Sequence, residues 1–157
     1  GLAKANSATV AVAAMNFIRQ PERFDVVVAS NLFGDLLTDL GAVIAGGLGL
    51  APSSNTNPER RFPSMFEPVH GSAPDIAGKG IANPAAMMMC VALMLDYTFG
   101  LPEAGREIVN AVEYGIRHGY RTPDITSADR KSVTTETMGK AISDYLDRLD
   151  PVPSDRA

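Results

Sequence analysis

The chain has 157 residues, of which 45% are hydrophobic and 20% are charged, and its formal net charge is −4. That length suits one domain with a buried core. The acidic balance, without a cluster of lysine and arginine, argues against nucleic acid as a partner. The single cysteine, Cys90, excludes a disulfide framework and a cysteine metal site. No apolar run approaches the roughly 20 residues that span a bilayer, so we expect a cytoplasmic protein with no membrane partner.

The first third of the sequence predicts a helix, a strand and a second helix. Residues 7–18 are rich in alanine and apolar nearly all round, which indicates a buried helix. Residues 24–29 are a short run rich in valine, typical of a strand that is covered on both faces in a parallel sheet. Ser30 or Asn31 can cap the next helix, which we expect to reach about residue 45.

Two acids of that second helix, Asp35 and Asp39, lie four residues apart at the edge of its apolar side. Residues at this spacing have Cβ atoms about 5–6 Å apart, and like charges there repel mildly. A shared divalent cation with hard oxygen ligands, Mg²⁺ or Mn²⁺, would offset that repulsion. The alternative is two solvated acids, with Asp35 stabilised by the helix N-terminal dipole. On spacing alone the solvated pair is the commoner case.

The glycine-rich run at 46–52 is not a dinucleotide fingerprint. It follows a helix, whereas that fingerprint follows a strand and opens a helix. The glycines therefore end the preceding helix. Residues 53–63 are polar and indicate a surface excursion, and residues 65–69 indicate a short strand.

The segment 66–84 is too long and aperiodic for a plain connector, and such loops are usually functional or disordered. Because a strand is predicted before it and an apolar helix after it, disorder is the weaker interpretation. His70 and Ser72 supply hydrogen-bonding groups, and Asp75 can accept two hydrogen bonds from a ribose diol and would repel a 2′-phosphate. The pattern therefore suits a nucleotide; the alternative is a surface loop rich in glycine and proline.

Three more helices are predicted after this loop. Asn83 as N-cap and Pro84 at the first helical position begin an apolar core helix over 85–95. Apolar residues at helical spacing predict two amphipathic helices, near 103–117 and near 134–149.

Two motifs carry a resemblance to a known family. They are the stretch 31–39 (Asn-Leu-Phe-Gly-Asp-Leu-Leu-Thr-Asp) and the stretch 67–84 (Glu-Pro-Val-His-Gly-Ser-Ala-Pro-Asp-Ile-Ala-Gly-Lys-Gly-Ile-Ala-Asn-Pro). With the order between them, they resemble the C-terminal half of the β-decarboxylating dehydrogenases, which include the isopropylmalate, isocitrate and tartrate/D-malate dehydrogenases. The match runs over residues 17–149, and the insert at 57–66 most resembles the tartrate/D-malate branch.

The resemblance implies NAD-linked oxidation of a 2-hydroxy diacid that is tartrate- or D-malate-like, or is 3-isopropylmalate, with or without loss of CO₂. It makes Asp35 and Asp39 ligands of Mg²⁺ or Mn²⁺, which would act as a Lewis acid on the substrate oxygen. It places Lys4 in proton transfer and Asn6 near the nicotinamide. The residues that it places on the NAD-binding loop are Glu67, His70, Gly71, Ser72, Ala73, Pro74, Asp75, Ile76 and Asn83. Of these, Asp75 and Ile76 look like the NAD-preferring choice.

The sequence also departs from the family's pattern. The family's first half, with an arginine cluster that grips the substrate carboxylates and a catalytic tyrosine, has no counterpart here. A long stretch is also missing between Asn6 and Thr9. Where the family reads Tyr-Val-Asp-Ala, this chain reads Thr9-Val10-Ala11-Val12. Ala11 thus stands in place of a third metal aspartate, which in the family comes from the partner subunit.

We therefore expect an α/β fold class: a partial, truncated isopropylmalate-dehydrogenase-like fold with a mostly parallel sheet and packed helices. Residues 1–149 are expected to form a single α/β segment and residues 150–157 a frayed tail. One hypothesis is an oxidoreductase segment that forms a homodimer. The alternative is a catalytically incomplete fragment that only binds NAD or associates with a partner chain. Without the arginine clamp, a diacid loses the bidentate contacts that orient it.

Overall fold

The computed structural model describes residues 7–149. The chain divides between Gly47 and Leu48 into two compact units, whose described parts are the N-terminal unit (residues 7–47) and the C-terminal unit (residues 48–149). The N-terminal unit is helical, and the C-terminal unit combines three α-helices with a small sheet. The predicted frayed tail, 150–157, lies outside the described residues.

Two helices, α1 (Val10–Arg19) and α2 (Asn31–Ile44), make up most of the N-terminal unit. The Thr9 hydroxyl accepts a hydrogen bond from a backbone N–H of the first turn of α1. At the end of α2 the Gly47 N–H donates to the Ala42 carbonyl oxygen over 2.8 Å. Gly47 has φ of 128°, which favours glycine. The glycine-rich run thus ends the helix, as predicted.

The two helices pack against each other and bury little. The rings of Phe17 and Phe24 meet edge to face, with centroids 4.5 Å apart. The buried apolar residues of this unit are Ala13, Leu37 and Ala42. These side chains are too few and too small to form a substantial core.

Residues 24–29, predicted as a buried parallel strand, do not form one. They have no strand or bridge assignment, and Val26 and Val28 are 84% and 93% exposed. A strand needs a neighbour for its backbone N–H and C=O groups. No segment of the described chain pairs with this one, so its valines have no sheet to enter and the prediction is wrong here.

The C-terminal unit begins with a β-hairpin of two strands, β1 (Pro52–Asn55) and β2 (Met65–Pro68). The strands are antiparallel, with Ser53 opposite Glu67. Within residues 7–149 this hairpin is the whole sheet, which corrects the prediction of a mostly parallel one for this part of the chain. The physical reason is the short connection between the strands, because a parallel pair needs a longer crossover.

Three helices follow the hairpin: α3 (Ala85–Tyr97), α4 (Pro102–Arg117) and α5 (Thr135–Leu146). Each lies within a few residues of its predicted bounds. Helix α3 packs against both strands and α4, and α4 packs against α5. No helix of the described chain is long and apolar enough to cross a membrane.

The core of the C-terminal unit lies between these three helices. Met138 and Ile142 of α5 are 0% and 1% exposed, and they pack with Ala85, Ala111 and Val112. The prediction that the apolar residues of α3 all lie in the core holds for one side only: Met88 packs on the core, whereas Met87 is 53% exposed.

Gly105 allows a close approach between α3 and α4. A Cβ atom at this position would lie 2.7 Å from the Ala92 carbonyl oxygen, which is closer than real Cβ contacts allow. The missing side chain therefore permits the two helices to meet backbone to backbone. Only glycine fits here without a shift of one helix.

Candidate functional site

The predicted nucleotide loop leaves the hairpin at the end of β2. At its start the Val69 N–H donates to the Ala51 carbonyl oxygen over 3.1 Å. The chain then turns at Ala73, whose φ is +44°, and the Ile76 N–H donates back to the Ala73 carbonyl oxygen over 3.1 Å. Gly78 follows with φ of +75°. This left-handed backbone suits glycine and is strained at alanine. The turn hydrogen bond and these two residues together give the loop a defined backbone conformation.

The far end of the loop is held by the first turn of α5. The Thr135 N–H donates to the Gly80 carbonyl oxygen over 2.9 Å, and the Thr135 hydroxyl donates to the Ala82 carbonyl oxygen over 2.5 Å. Two backbone acceptors of the loop are thus satisfied by one residue more than 50 positions further along the chain. The loop is attached at both ends to the C-terminal unit.

Asn83 ends the loop and begins α3. Its Oδ1 accepts a hydrogen bond from the N–H of Ala85, the first residue of α3, over 3.0 Å. The N-cap position itself is occupied by Pro84, one residue later than predicted. Its Nδ2 donates to Oδ2 of Asp124 over 3.1 Å. Asp124 lies in a short 3-10 turn, Pro123–Ile125, that the sequence predicts only as loop.

The polar side chains of this loop are exposed. His70 Nδ1 lies 2.9 Å from the Gly71 carbonyl oxygen. Because that oxygen only accepts, Nδ1 is the donor in this contact, and in the neutral ring Nε2 is then an acceptor. Asp75 is exposed, and Ile76 beside it is half-buried. In the described chain no protein group donates to the Asp75 carboxyl group. Of the other predicted residues, Glu67, Ser72 and Pro74 are exposed and Ala73 is half-buried.

This donor and acceptor set fits a nucleotide. An exposed carboxylate beside a half-buried apolar side chain can accept from a ribose diol while the apolar group covers a ring face. The glycines carry no side chain toward the loop: a Cβ atom at Gly71, Gly78 or Gly80 would meet nothing within 4 Å. A ligand could therefore approach the backbone closely.

The predicted metal pair lies in the N-terminal unit, on α2. Asp35 and Asp39 are both exposed, and the Asn31 Nδ2 lies 3.5 Å from one Asp35 oxygen. Within residues 7–149 no three His, Cys, Asp or Glu residues cluster as metal ligands. Two hard carboxylates remain, and Mg²⁺ is commonly bound by one or two carboxylates with water and substrate oxygens. The pair fits such an open site and not a closed protein cage.

A groove of about 500 Å³ runs between α1 and α2, and Asp39 lies on its wall. Ala11 lines the same groove in this chain. The remaining lining residues are Val10, Ala14, Leu36, Leu37, Leu40 and Val43. Among the described lining residues Asp39 is thus the one with an ionisable side chain, and the position expected to be an aspartate supplies only a methyl group.

Two predicted site residues, Lys4 and Asn6, lie outside the described residues. Two others, Asp124 and Thr135, contact the loop although the sequence assigns them no role. Asp124 is 41 positions from Asn83, and no local pattern or spacing rule relates residues so far apart.

Comparisons with known proteins agree with these features. The sequence profile of the isocitrate/isopropylmalate dehydrogenase family matches residues 3–142. A tartrate dehydrogenase/decarboxylase from Pseudomonas putida is 56% identical over 139 residues, which are 85% of this chain and 37% of that protein. A D-malate dehydrogenase (decarboxylating) from Escherichia coli K12 is 54% identical over 130 residues, which are 80% of this chain and 35% of that protein.

The fold is also that of solved relatives. The crystal structure of isocitrate dehydrogenase from Methylococcus capsulatus aligns with a TM-score of 0.80 and 46% sequence identity, over 87% of this chain and 39% of that one. The α/β class and the resemblance to this family, its tartrate/D-malate branch included, are therefore confirmed. The chain spans a little over a third of the length of the curated relatives it matches.

Proposed function

The chain belongs to the isocitrate/isopropylmalate dehydrogenase family, and from this we propose that it is a segment of an NAD- and divalent-metal-dependent oxidoreductase acting on a 2-hydroxy diacid. The single observation that carries the proposal is the folded, exposed loop between β2 and α3, in which no group of residues 7–149 donates to the Asp75 carboxylate. When bound, NAD would accept a hydride from the hydroxyl carbon, and the metal would polarise the hydroxyl oxygen.

The residues of the loop would bind and orient the cofactor. Asp75 would accept from both hydroxyls of a ribose and repel a 2′-phosphate, which favours NAD over its phosphorylated form. Ile76 would pack on the base, and His70 Nε2 would accept a hydrogen bond from the ligand. The backbone of Gly71, Ser72, Ala73 and Pro74 would allow a close approach of the ligand, with Glu67 and Asn83 at the two ends.

The metal would be held by Asp35 and Asp39, either Mg²⁺ or Mn²⁺. These two carboxylates supply hard oxygen ligands, and substrate oxygens and water would complete the shell. Ala11 has no donor atom, so Asp35 and Asp39 are the two ligands that residues 7–149 would supply. In the same proposal Lys4 serves in proton transfer and Asn6 lies near the nicotinamide.

For the substrate we propose a tartrate- or D-malate-like diacid or 3-isopropylmalate, because relatives more than 50% identical carry the names tartrate dehydrogenase/decarboxylase, D-malate dehydrogenase and 3-isopropylmalate dehydrogenase. An isocitrate dehydrogenase is also similar, and 3-isopropylmalate falls within the same class. Oxidation at the hydroxyl carbon, with or without loss of CO₂, is common to this set. A homodimer is part of the proposal, since the exposed apolar side chains of α1 and α2 would be covered by a second copy.

The test is a calorimetric titration of NAD into the purified chain with Mn²⁺ present. We expect saturable binding in the wild type and at least tenfold weaker binding in Asp75→Ala, since that change removes the acceptor for two hydroxyl donors. Asp129→Ala is the matched control, because Asp129 is also an exposed loop carboxylate of the C-terminal unit. Equal affinity in Asp75→Ala and the wild type would contradict the cofactor assignment.

A second candidate is a catalytically incomplete protein that only binds NAD or associates with a partner chain. Ala11 favours it, because the groove beside Asp39 lacks a third carboxylate. This candidate requires either NAD binding without oxidation of D-malate or tartrate, or association with a partner chain. Turnover of either diacid by the purified chain would exclude it, and a monomer in sedimentation velocity would exclude its association through α1 and α2.

A further inference from the structure

The Asn83 side chain is held between two partners that together determine which way its amide points. Its Oδ1 accepts from the Ala85 N–H over 3.0 Å, and its Nδ2 donates to Asp124 Oδ2 over 3.1 Å. A backbone N–H can only donate and a carboxylate can only accept. Turning the amide over would place the wrong atom against both partners, so only one orientation satisfies them.

This orientation leaves one group free. An amide nitrogen carries two N–H donors, and Asp124 receives one of them. In the described part of the chain no protein group accepts the other. Asn83 is half-buried at the end of the nucleotide loop, so the second N–H is a donor of fixed identity at the edge of the candidate cofactor site.

The glycine at position 49 makes room for this pair. A Cβ atom on Gly49 would lie 2.5 Å from Asp124 Oδ2 and 2.7 Å from the Asn83 Cβ. Neither distance is tolerated, and the Asn83 Cβ is not the end of a flexible chain. The contact between Asn83 and Asp124 thus requires glycine on the segment before β1.

We propose that Asp124 is a positioning residue for nucleotide binding: it holds the Asn83 amide so that an N–H donor, and not a carbonyl oxygen, faces the bound cofactor. The ligand group that this donor recognises is a hydrogen-bond acceptor, such as a ring nitrogen of the base or a ribose oxygen. The inference rests on the proposed function, because it takes NAD as the ligand of the loop. It gives Asp124 an effect on affinity that acts entirely through Asn83.

The competing view is that Asp124 only braces the loop against the Pro123–Ile125 turn. A brace needs a hydrogen bond between positions 83 and 124, and either direction of donation would serve. Positioning needs the donor on residue 83. A variant that keeps the hydrogen bond between positions 83 and 124 but reverses its direction therefore distinguishes bracing from positioning.

The first set of variants removes or preserves the acceptor. Asp124→Ala should weaken NAD binding about fivefold to tenfold, the usual effect of losing one oriented hydrogen bond. Asp124→Asn keeps an oxygen that can accept from Asn83, so NAD affinity should stay within about twofold of the wild type. Asp144→Ala is the control, since Asp144 is paired with Lys140 on α5. Unchanged affinity in Asp124→Ala would overturn the inference.

The decisive variant is the double exchange Asn83→Asp with Asp124→Asn. The carboxylate introduced at position 83 still accepts from the Ala85 N–H, and the amide introduced at position 124 donates to it. The urea midpoint should therefore be close to that of the wild type, whereas NAD affinity should remain at least tenfold reduced because position 83 now presents an acceptor. If NAD affinity and the urea midpoint both returned to their wild-type values, Asp124 would only brace the loop, and the inference would be overturned.

Gly49→Ala tests the contact between Asn83 and Asp124 without a substitution at either residue. Helical content should be retained, because the three atoms nearest the added Cβ all belong to Asn83 and Asp124, which lie outside the α-helices. NAD affinity should fall about as far as in Asp124→Ala. A Gly49→Ala variant that binds NAD like the wild type would contradict the shared geometry.

Failure of this inference differs from failure of the proposed function. If the wild type binds NAD, and binding is lost in Asp75→Ala but not in Asp124→Ala, only the role of Asp124 is overturned. If the wild type binds no NAD, the proposed function fails and the positioning role fails with it. A titration of wild type, Asp75→Ala and Asp124→Ala in one buffer separates these outcomes.

Discussion

The two units of the chain differ in how much of their apolar surface they bury. In the C-terminal unit, Met138 and Ile142 are at most 1% exposed. In the N-terminal unit, Ile18 and Val43 are 65% and 64% exposed, and Leu36 is 54% exposed. The candidate cofactor loop thus belongs to a unit with a core of its own, whereas the candidate metal pair belongs to a unit whose helices leave most of their apolar side chains uncovered.

This difference bears on which candidate site can work in the isolated chain. Hydrophobic burial is the main favourable term in folding, so the C-terminal unit can hold its loop by its own contacts. The N-terminal unit gains little from packing α1 on α2. We therefore expect nucleotide binding to be more robust than metal binding, and the following substitutions test the contrast.

The largest difference is expected between two methionines. Met138→Ala empties a fully buried position of the C-terminal core and should lower the free energy of unfolding by about 2–5 kcal/mol. Met15→Ala is the same chemical change on α1, where Met15 is 45% exposed; it should cost less than about 1 kcal/mol, because alanine also favours the helix. Urea unfolding of the whole chain measures both. Equal losses would remove the contrast between the units.

Two glycines in helices should give effects of opposite sign. Gly105→Ala puts a methyl group 2.7 Å from the Ala92 carbonyl oxygen, and the overpacking should destabilise by about 1–3 kcal/mol. Gly34→Ala adds a methyl group to α2 with nothing within 4 Å. Alanine is the better helix former, so Gly34→Ala should stabilise by up to about 1 kcal/mol. Thermal unfolding followed by circular dichroism would detect either sign.

If Gly34→Ala were as destabilising as Gly105→Ala, then α2 would be covered in solution by something that also excludes a methyl group there. That outcome would revise the description of the N-terminal unit as open. A stabilised Gly34→Ala leaves it unchanged.

A smaller effect is expected from restoring a carboxylate beside the metal pair. Ala11 is exposed on α1 and lines the groove with Asp39. Ala11→Asp adds a third hard oxygen donor and should raise Mn²⁺ affinity about tenfold, or about 1.4 kcal/mol. Ala11→Asn, of similar shape without the charge, should change it little. A titration of Mn²⁺ in which both variants match the wild type would show that the pair is not limited by its number of ligands.

The smallest effect concerns surface charge on the C-terminal unit. The hydrogen bond from Lys140 to Asp144, with the attraction of that carboxylate, raises the pKa of Lys140 above its usual 10.5. A raised pKa in the folded state means that the pair stabilises below the unfolded-state pKa and that this contribution is lost as the pH rises through the folded-state pKa. Because the Lys140 side chain is largely exposed and that of Asp144 is partly exposed, the contribution is small.

Urea midpoints of the wild type and Lys140→Met should therefore differ slightly near neutral pH and converge above the folded-state pKa. A large difference at neutral pH would mean that surface charge, and not the core, stabilises this unit. The expected small difference sharpens the contrast, since it leaves the buried residues as the source of stability.

Helical periodicity was sufficient to predict the helices, because it is a local property. The apolar spacing of residues 103–117 predicts α4, and the Asn83-Pro84 pair predicts the start of α3 to within one residue. The segment 24–29 shows where local pattern fails. Its valines have the composition of a buried strand, but whether a strand forms depends on a neighbouring strand that no local pattern reveals. Strand β1 is the converse case. Its Pro-Ser-Ser-Asn sequence does not have the composition of a strand, yet it forms one by pairing with β2.

The candidate site divides in the same way. The loop motif was readable because its glycines, prolines and Asp75 lie together in the sequence. The contact of Asn83 with Asp124 and of Gly80 with Thr135 was not readable, because each joins residues more than 40 positions apart. Such contacts depend on how α5 and the Pro123–Ile125 turn pack against the loop, which is decided by the core and not by spacing.

The hydrogen bonds from Thr135 also set an order of events during synthesis. The loop lies 53 residues before the side-chain donor that secures Ala82, and contacts so distant in sequence form late because closing a long segment costs entropy. A nascent chain that has not yet released residue 135 from the ribosome has the whole loop but lacks these two donors. The cofactor surface is thus completed only after α5 has been made, and nucleotide binding would report that α5 has packed against the loop.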